Sequence, residues 1–276
     1  MNMRHVSSRN MTTIHCFFSG GRDSALACFI AHRVARQRGW DYRLIHIDTT
    51  ISLHATQEYV RRYAQWLGTE LVVLRPERTF REYAEKFGMW PSLHPQRFRW
   101  CYRYLKLQPL NKYLKKSYRE GDLVVMGVRK GESKFRDKFY TQTFFERDYD
   151  SVRARVWAPL LHIDDPTLVR LIELFGIPKN PVWKYGFSGE CLCLAGSPIH
   201  NIAMVLRYFP EERNMLLEVD DAIQRSRRSN TPSAPFRLAQ AGYKTLREFY
   251  QQVIKSQMTL DDFVVPYKSC EGTCML

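Results

Sequence analysis

Short, mostly apolar runs alternate along the first two thirds of the chain with longer stretches in which apolar residues return every three or four positions. The runs are Ile14 to Phe18, Tyr42 to Ile47, Glu70 to Leu74 and Leu123 to Gly127, with a fifth at Val152 to Leu160. Runs of this length without helical periodicity predict strands buried on both faces. Between them the spacing predicts helices at Ser24 to Arg38, Thr56 to Leu67, Thr79 to Phe87, Leu105 to Tyr118 and Pro166 to Phe175. Gly39 and Gly68 stand directly after the first two, where a glycine stops a helix. Strands alternating with helices predict an α/β fold, a doubly wound and mostly parallel sheet with helices on both faces. After Asn180-Pro181 the pattern becomes helical, at Ile199 to Tyr208, Glu211 to Ala222, Phe236 to Ala241 and Leu246 to Ser256. A polar loop, Arg225 to Pro235, separates two pairs of these helices. The expected organisation is a frayed extension over 1–13, an α/β domain over 14–179 and a Cys-containing helical region over 180–276.

Composition narrows the class. Of 276 residues, 45% are hydrophobic and 25% charged, which fits an ordinary globular chain and excludes collagen-like or wholly disordered ones. No run of 18 apolar residues exists, so no transmembrane helix and no membrane partner is expected. Met1 to Thr13 lacks the apolar core of a secretory signal. The formal net charge of +14 points to a polyanionic partner such as a nucleic acid or a nucleotide, or to simple solubility. Seven cysteines without a signal segment favour a reducing compartment, the cytoplasm. Clustered cysteines there mean metal or catalysis rather than disulfides.

The sharpest motif is Ser19-Gly20-Gly21-Arg22-Asp23-Ser24, between the first strand and the first helix. Two glycines let successive backbone N–H groups turn toward one point and form an anion nest. The helix N-terminus adds partial positive charge. Ser19 and Ser24 can donate hydroxyl hydrogen bonds to phosphate, whereas Asp23 repels phosphate and is expected to hold an accompanying Mg²⁺. The bland alternative is an ordinary strand-to-helix turn with Asp as a cap.

This segment resembles the PP-loop of the ATP pyrophosphatases, or adenine nucleotide alpha hydrolases, a group with a HUP-like fold. The resemblance implies ATP binding and cleavage between the α and β phosphates, often with adenylation of a substrate. Further segments resemble the phosphoadenosine phosphosulfate reductase branch. His46-Ile47-Asp48-Thr49-Thr50 is similar to that family's Asp-Thr-Gly motif, with Thr50 in place of the glycine. Where the family often carries Pro-Glu-Thr, this chain has His54-Ala55-Thr56. Gly127-Val128-Arg129-Lys130-Gly131-Glu132-Ser133, followed by Arg136, resembles its GxRxxES segment, and Arg129 can grip phosphate or sulfate bidentately. Cys101, followed by Lys106-Leu107-Gln108-Pro109-Leu110, resembles the Cys…Lys-x-x-Pro-Leu segment of the iron–sulfur members. The resemblance implies a nucleotide site made of Ser19, Gly20, Gly21, Arg22, Asp23, Ser24, Asp48, Thr49, Gly127, Arg129, Glu132 and Arg136.

Cys16 and Cys28 flank the loop in apolar contexts and read as buried structural thiols. Cys101, Cys191, Cys193, Cys270 and Cys274 occupy polar or loop contexts and are expected to supply four ligands of one site. Four thiolates suit zinc or [4Fe–4S] equally. The resemblance favours [4Fe–4S], with Cys270 or Cys191 left over to carry sulfur. Those family members carry a Cys-Cys pair and a CxxC, whereas here Tyr102 follows Cys101 and the later pair is CxC.

Three functions fit. The first is an ATP-dependent, adenylating sulfur transferase acting on a nucleic acid, with a cysteine desulfurase or thioredoxin-like protein as sulfur donor or reductant. The second is a reductase of adenylyl sulfate or its 3′-phosphorylated form, using a thiol nucleophile. The third is a non-catalytic nucleic-acid-binding or partner module. The intact loop separates the first from the other two, because a reductase releases no pyrophosphate. The histidines show no metal-ligand spacing, although His46 and His54 fall near the expected pocket.

Overall fold

The computed structural model describes residues 11–92, 99–131, 134–187, 189, 191–192, 194–227 and 233–255. In chain order the elements are β1 (Thr13–Phe17), α1 (Arg22–Arg38), β2 (Asp41–Ile47), α2 (His54–Leu67), β3 (Leu71–Leu74) and α3 (Phe80–Phe87). A π-helical segment (Cys101–Leu107) runs into α4 (Gln108–Ser117), followed by β4 (Leu123–Val125), α5 (Lys134–Phe139), β5 (Phe144–Tyr149), β6 (Val152–Trp157) and α6 (Asp165–Leu174). A 3-10 turn (Trp183–Tyr185) leads to α7 (Ile199–Tyr208), α8 (Pro210–Ser226), α9 (Phe236–Gln240) and α10 (Leu246–Val253).

The six strands form one sheet in the order β3-β2-β1-β4-β6-β5. All neighbours are parallel except β5 against β6. Alternate side chains of each strand feed two cores. Ile14, Cys16 and Leu44 pack with α1, α2 and α6 on one face, while Phe17, Ile45 and Val124 pack with α4 on the other. The doubly wound expectation holds. Cys16 and Cys28 are fully buried in the first of these cores, as expected of structural thiols. His15 is buried too, between Tyr113 Oη at 2.9 Å and Asp122 at 3.2 Å. Burial holds its pKa below the ordinary value despite the carboxylate.

Three local expectations change. β4 stops at Val125 and β6 at Trp157, so Gly127 and Leu160 belong to loops. The helix expected from Leu105 begins earlier, as a π-helix from Cys101. The antiparallel edge strand β5 has no counterpart in the sequence reading. Its outward residues Glu146 and Asp148 face Arg155 and Arg153 across the ladder, so it lacks the apolar run of a two-sided strand.

A third core joins residues on both sides of position 180. Phe80, Trp90, Trp100, Cys101 and Leu105 share it with Leu192, Leu194 and the inner faces of α7, α8 and α10. At its rim the buried Asp220 of α8 accepts from Trp90 Nε1 (3.3 Å), Leu246 N (3.4 Å) and Arg247 N (3.2 Å). It thereby ties the loop after α3 to the start of α10. Burial raises its pKa above the usual carboxylate range. Asp220→Ala leaves those donors without their acceptor. The expected loss is about 3 kcal/mol in a urea melt, with Asp220→Asn losing less; equal midpoints for wild type and Asp220→Ala would count against this tie.

Candidate active site

β1 lies between β2 and β4, so the chain winds outward from it in both directions. In open α/β sheets, ligands bind at the carboxyl ends of the strands at such a reversal. The loop after β1 and the loop after β4 meet there. The first bond of α1 is Ala25 N–H to the Gly21 carbonyl, 2.9 Å. The amides of Arg22, Asp23 and Ser24 thus precede the helical ladder, at the positive end of the helix dipole. Within the loop the hydroxyls bond one another. Ser19 Oγ and Ser24 Oγ are 3.0 Å apart, and Ser24 Oγ donates to the Gly21 carbonyl at 3.0 Å.

The loop backbone is held from behind. Gly20 has φ +80°. Its carbonyl accepts from Asn180 Nδ2 (3.2 Å) and Trp183 Nε1 (3.0 Å), and Asn180 also donates to Thr56 Oγ1 (3.1 Å). A Cβ at Gly20 would meet Thr56 Cγ2 at 2.7 Å. Asn180 and Trp183 were not among the expected site residues. In the sequence Asn180-Pro181 marks a break in the chain, and no local pattern marks a side chain that reaches back 160 positions.

After β4, Gly127 lies directly against the first turn of α1. A Cβ there would be 2.7 Å from Ser24 N and 2.8 Å from the Asp23 carbonyl carbon. Two residues on, Arg129 is buried and pairs with the Asp23 carboxylate. Its Nη1 donates to the Ile163 carbonyl at 3.2 Å and its Nη2 to Asp165 at 2.5 Å. The expectation places Asp23 on Mg²⁺ and Arg129 on phosphate, and the structure shows the two paired with each other. The two side chains are each other's partners, and their pairing fixes the loop against β4. Arg22 remains beside them, with Nη2 3.8 Å from Asp165. Glu132 lies outside the described residues, as does the Arg136 side chain.

Asp48 directly follows β2 at the same sheet edge. It accepts from Thr50 N (2.9 Å), Gln57 Nε2 (3.1 Å) and Arg75 Nε (3.1 Å). Thr49 beside it is fully buried. Thr50 sits at φ +60°, the left-handed conformation that explains a glycine in the motif it resembles. Its Oγ1 accepts from Phe80 N at 2.7 Å, an anchor that glycine lacks.

Of the five expected metal ligands, Cys193, Cys270 and Cys274 lie outside the described residues. Cys101 is 4% exposed and opens the π-helix, while Cys191 is half-buried at the border of the same core. Among the described residues no group of three His, Cys, Asp or Glu side chains is arranged to hold a metal. The Cys191 segment nevertheless reaches the site. Ser52 and Cys191 form an antiparallel bridge, and Leu192 N donates to the Ile51 carbonyl at 2.7 Å. Gly189 (φ +150°) lies on the loop after β1, where an added Cβ would stand 3.0 Å from the Ser19 carbonyl oxygen.

The family model of the phosphoadenosine phosphosulfate reductase domain matches residues 13–190. The chain belongs to that family. The match takes in β1 to β6, the loop at 19–24 and the segment that carries Gly189. Two uncharacterised proteins of Methanocaldococcus jannaschii are 36% and 28% identical to it over 209 and 199 residues. Those alignments cover 75% and 70% of this chain but 47% and 38% of the relatives, so the chain spans less than half their length. The fold is similar to that of a phosphoadenylyl-sulfate reductase from Candida auris, solved as a phosphate complex. The TM-score is 0.50 at 18% identity, over 66% of this chain and 81% of that one. Among the described residues no helix is long and apolar enough to cross a membrane.

Proposed function

We propose that this member of the family is an ATP-dependent, adenylating sulfur transferase that acts on a nucleic acid. The observation that carries the reading is the phosphate loop itself. Ser19, Gly20, Gly21 and Ser24 are all present at the strand reversal, and Asn180, Trp183 and Gly127 hold the loop in shape. Backbone amides and two hydroxyls would hold the β and γ phosphates of ATP. An oxygen of the acceptor attacks the α phosphorus, the bond to the β-phosphate oxygen breaks, and pyrophosphate leaves with the charge that the helix N-terminus stabilises.

The adenylated carbon is then open to a sulfur nucleophile. The terminal sulfur of a persulfide on Cys191 or Cys270 attacks it and expels AMP. A second thiolate breaks the S–S bond, leaving the sulfur on the acceptor and a disulfide on the enzyme. An external dithiol of the thioredoxin type reduces that disulfide, and a cysteine desulfurase reloads the persulfide. Cys191 is favoured as carrier because its segment lies on Ser19 and bridges to Ser52. A [4Fe–4S] cluster or zinc on the remaining cysteines stays part of the proposal, with no step assigned to it. The +14 charge and basic residues such as Arg225 and Arg227 suit a polyanionic acceptor.

Ser24→Ala removes the hydroxyl from the first turn of α1 while leaving the backbone amides. It is expected to raise the Kd for ATP roughly tenfold in calorimetry, with the cooperative fold retained in a urea melt. Unaltered ATP affinity would contradict the loop's role. The second reading, sulfonucleotide reduction, is favoured by family membership. It predicts sulfite release from adenylyl sulfate without ATP, and the first reading predicts none.

A further inference from the structure

A cleft of about 350 Å³ opens between α2 and the β2–β3 edge, beside Asp48. Its volume falls in the range that takes small ligands. Val60, Leu71 and Val73 form an apolar wall, and His46, Asp48, Gln57, Arg61 and Arg75 supply the polar groups. His46 is the telling residue. It is 3% exposed, and its Nδ1 lies 2.8 Å from the Phe18 carbonyl. A carbonyl only accepts, so Nδ1 carries a proton and the second ring nitrogen, Nε2, remains for another partner. That buried Nε2 has no hydrogen-bond partner, although a buried polar atom normally has one.

The ligand that satisfies this cleft has three properties. It presents a polar edge atom to Nε2. It has a flat apolar face for Val60, Leu71 and Val73. It carries negative charge for the two arginines at the rim. Arg61 is exposed and has no ion-pair partner among the described residues, and Arg75 is 71% exposed beyond its bond to Asp48. A metal ion fits poorly beside two guanidinium groups. We infer that the cleft receives one unpaired base of a single-stranded nucleic acid, with a polar edge atom on His46 Nε2 and its flanking phosphates on Arg61 and Arg75. A positively charged groove that tracks the phosphate backbone is a general feature of single-strand binding. The inference rests on the reading of the acceptor as a nucleic acid and names where its base sits.

The test uses fluorescence anisotropy with labelled single-stranded RNA and DNA oligonucleotides, alongside calorimetry with ATP. His46→Asn keeps a side-chain N–H for the Phe18 carbonyl and removes Nε2. Arg61→Ala removes rim charge at an exposed position, and Val73→Trp fills the cleft from the edge strand, where Val73 is 46% exposed. Each variant is expected to weaken oligonucleotide binding about tenfold while ATP affinity and melting temperature stay unchanged. The RNA and DNA arms identify which sugar the acceptor carries. If wild type binds oligonucleotides and all three variants bind equally well, the cleft assignment fails and the acceptor reading stands. If the variants lose ATP instead, the cleft holds the base of ATP and the inference is overturned. If wild type binds neither RNA nor DNA at low salt, both the inference and the nucleic-acid reading fall.

Discussion

Arg129→Ala is expected to destabilise the fold by about 3–5 kcal/mol, the cost of removing one member of a buried ion pair. Arg129 and Asp23 are 5% and 6% exposed, so the Asp23 carboxylate left behind is cut off from water. Asp165 and the Ile163 carbonyl lose a donor too, but Asp165 is half exposed and water replaces the bond. The penalty thus falls on Asp23, in the first turn of α1 and within the phosphate loop. ATP affinity falls together with stability. A double variant checks the cause: Asp23→Asn with Arg129→Met replaces the pair by neutral groups and recovers most of the stability. Urea melts of the four proteins in this cycle give the coupling directly. A coupling near zero would show that the two side chains act independently.

Gly127→Ala is expected to cost about 3 kcal/mol by overpacking, and to weaken ATP binding at least tenfold. The added methyl would stand 2.7–2.8 Å from three backbone atoms of Asp23 and Ser24. Backbone in the first turn of a helix cannot rotate aside as a side chain does, so β4 or α1 must shift and the loop moves with it. Gly39→Ala is the control. Gly39 has φ +65° but a Cβ added there would meet nothing within 4 Å, so its replacement costs only the left-handed penalty of about 1–2 kcal/mol. That change leaves ATP binding intact. Equal ATP affinity for wild type and Gly127→Ala would show that the β4–α1 contact does not shape the loop.

The contrast between these positions marks how far the sequence reading reached. Ile14, Leu44 and Val124 sit in short apolar runs, and Gly39 and Gly68 stop helices, so most strands and helices were legible from spacing alone. β5 was not, because an edge strand that pairs Glu146 and Asp148 with arginines has no apolar alternation on its outer face. The Ser19–Ser24 segment was legible as a motif. Its supports were not, because Asn180 and Trp183 bond the Gly20 carbonyl from 160 and 163 positions away. The pairing of Asp23 with Arg129 was not legible for the same reason: each was read alone, and only the fold brings a residue after β1 against a residue after β4. Thr50 shows the opposite case. Its departure from glycine was visible, and the Phe80 amide that anchors its hydroxyl supplies the reason it is tolerated.

The central claim is that ATP is cut between its α and β phosphates to activate an acceptor for sulfur. The direct measurement incubates the anaerobically purified chain with ATP, Mg²⁺, a persulfide donor and single-stranded RNA or DNA, and separates the nucleotide products. AMP and pyrophosphate in equal amounts, dependent on the nucleic acid and lost in Ser24→Ala, are the expected result. ADP with inorganic phosphate, or sulfite release from adenylyl sulfate with ATP left intact, would contradict it.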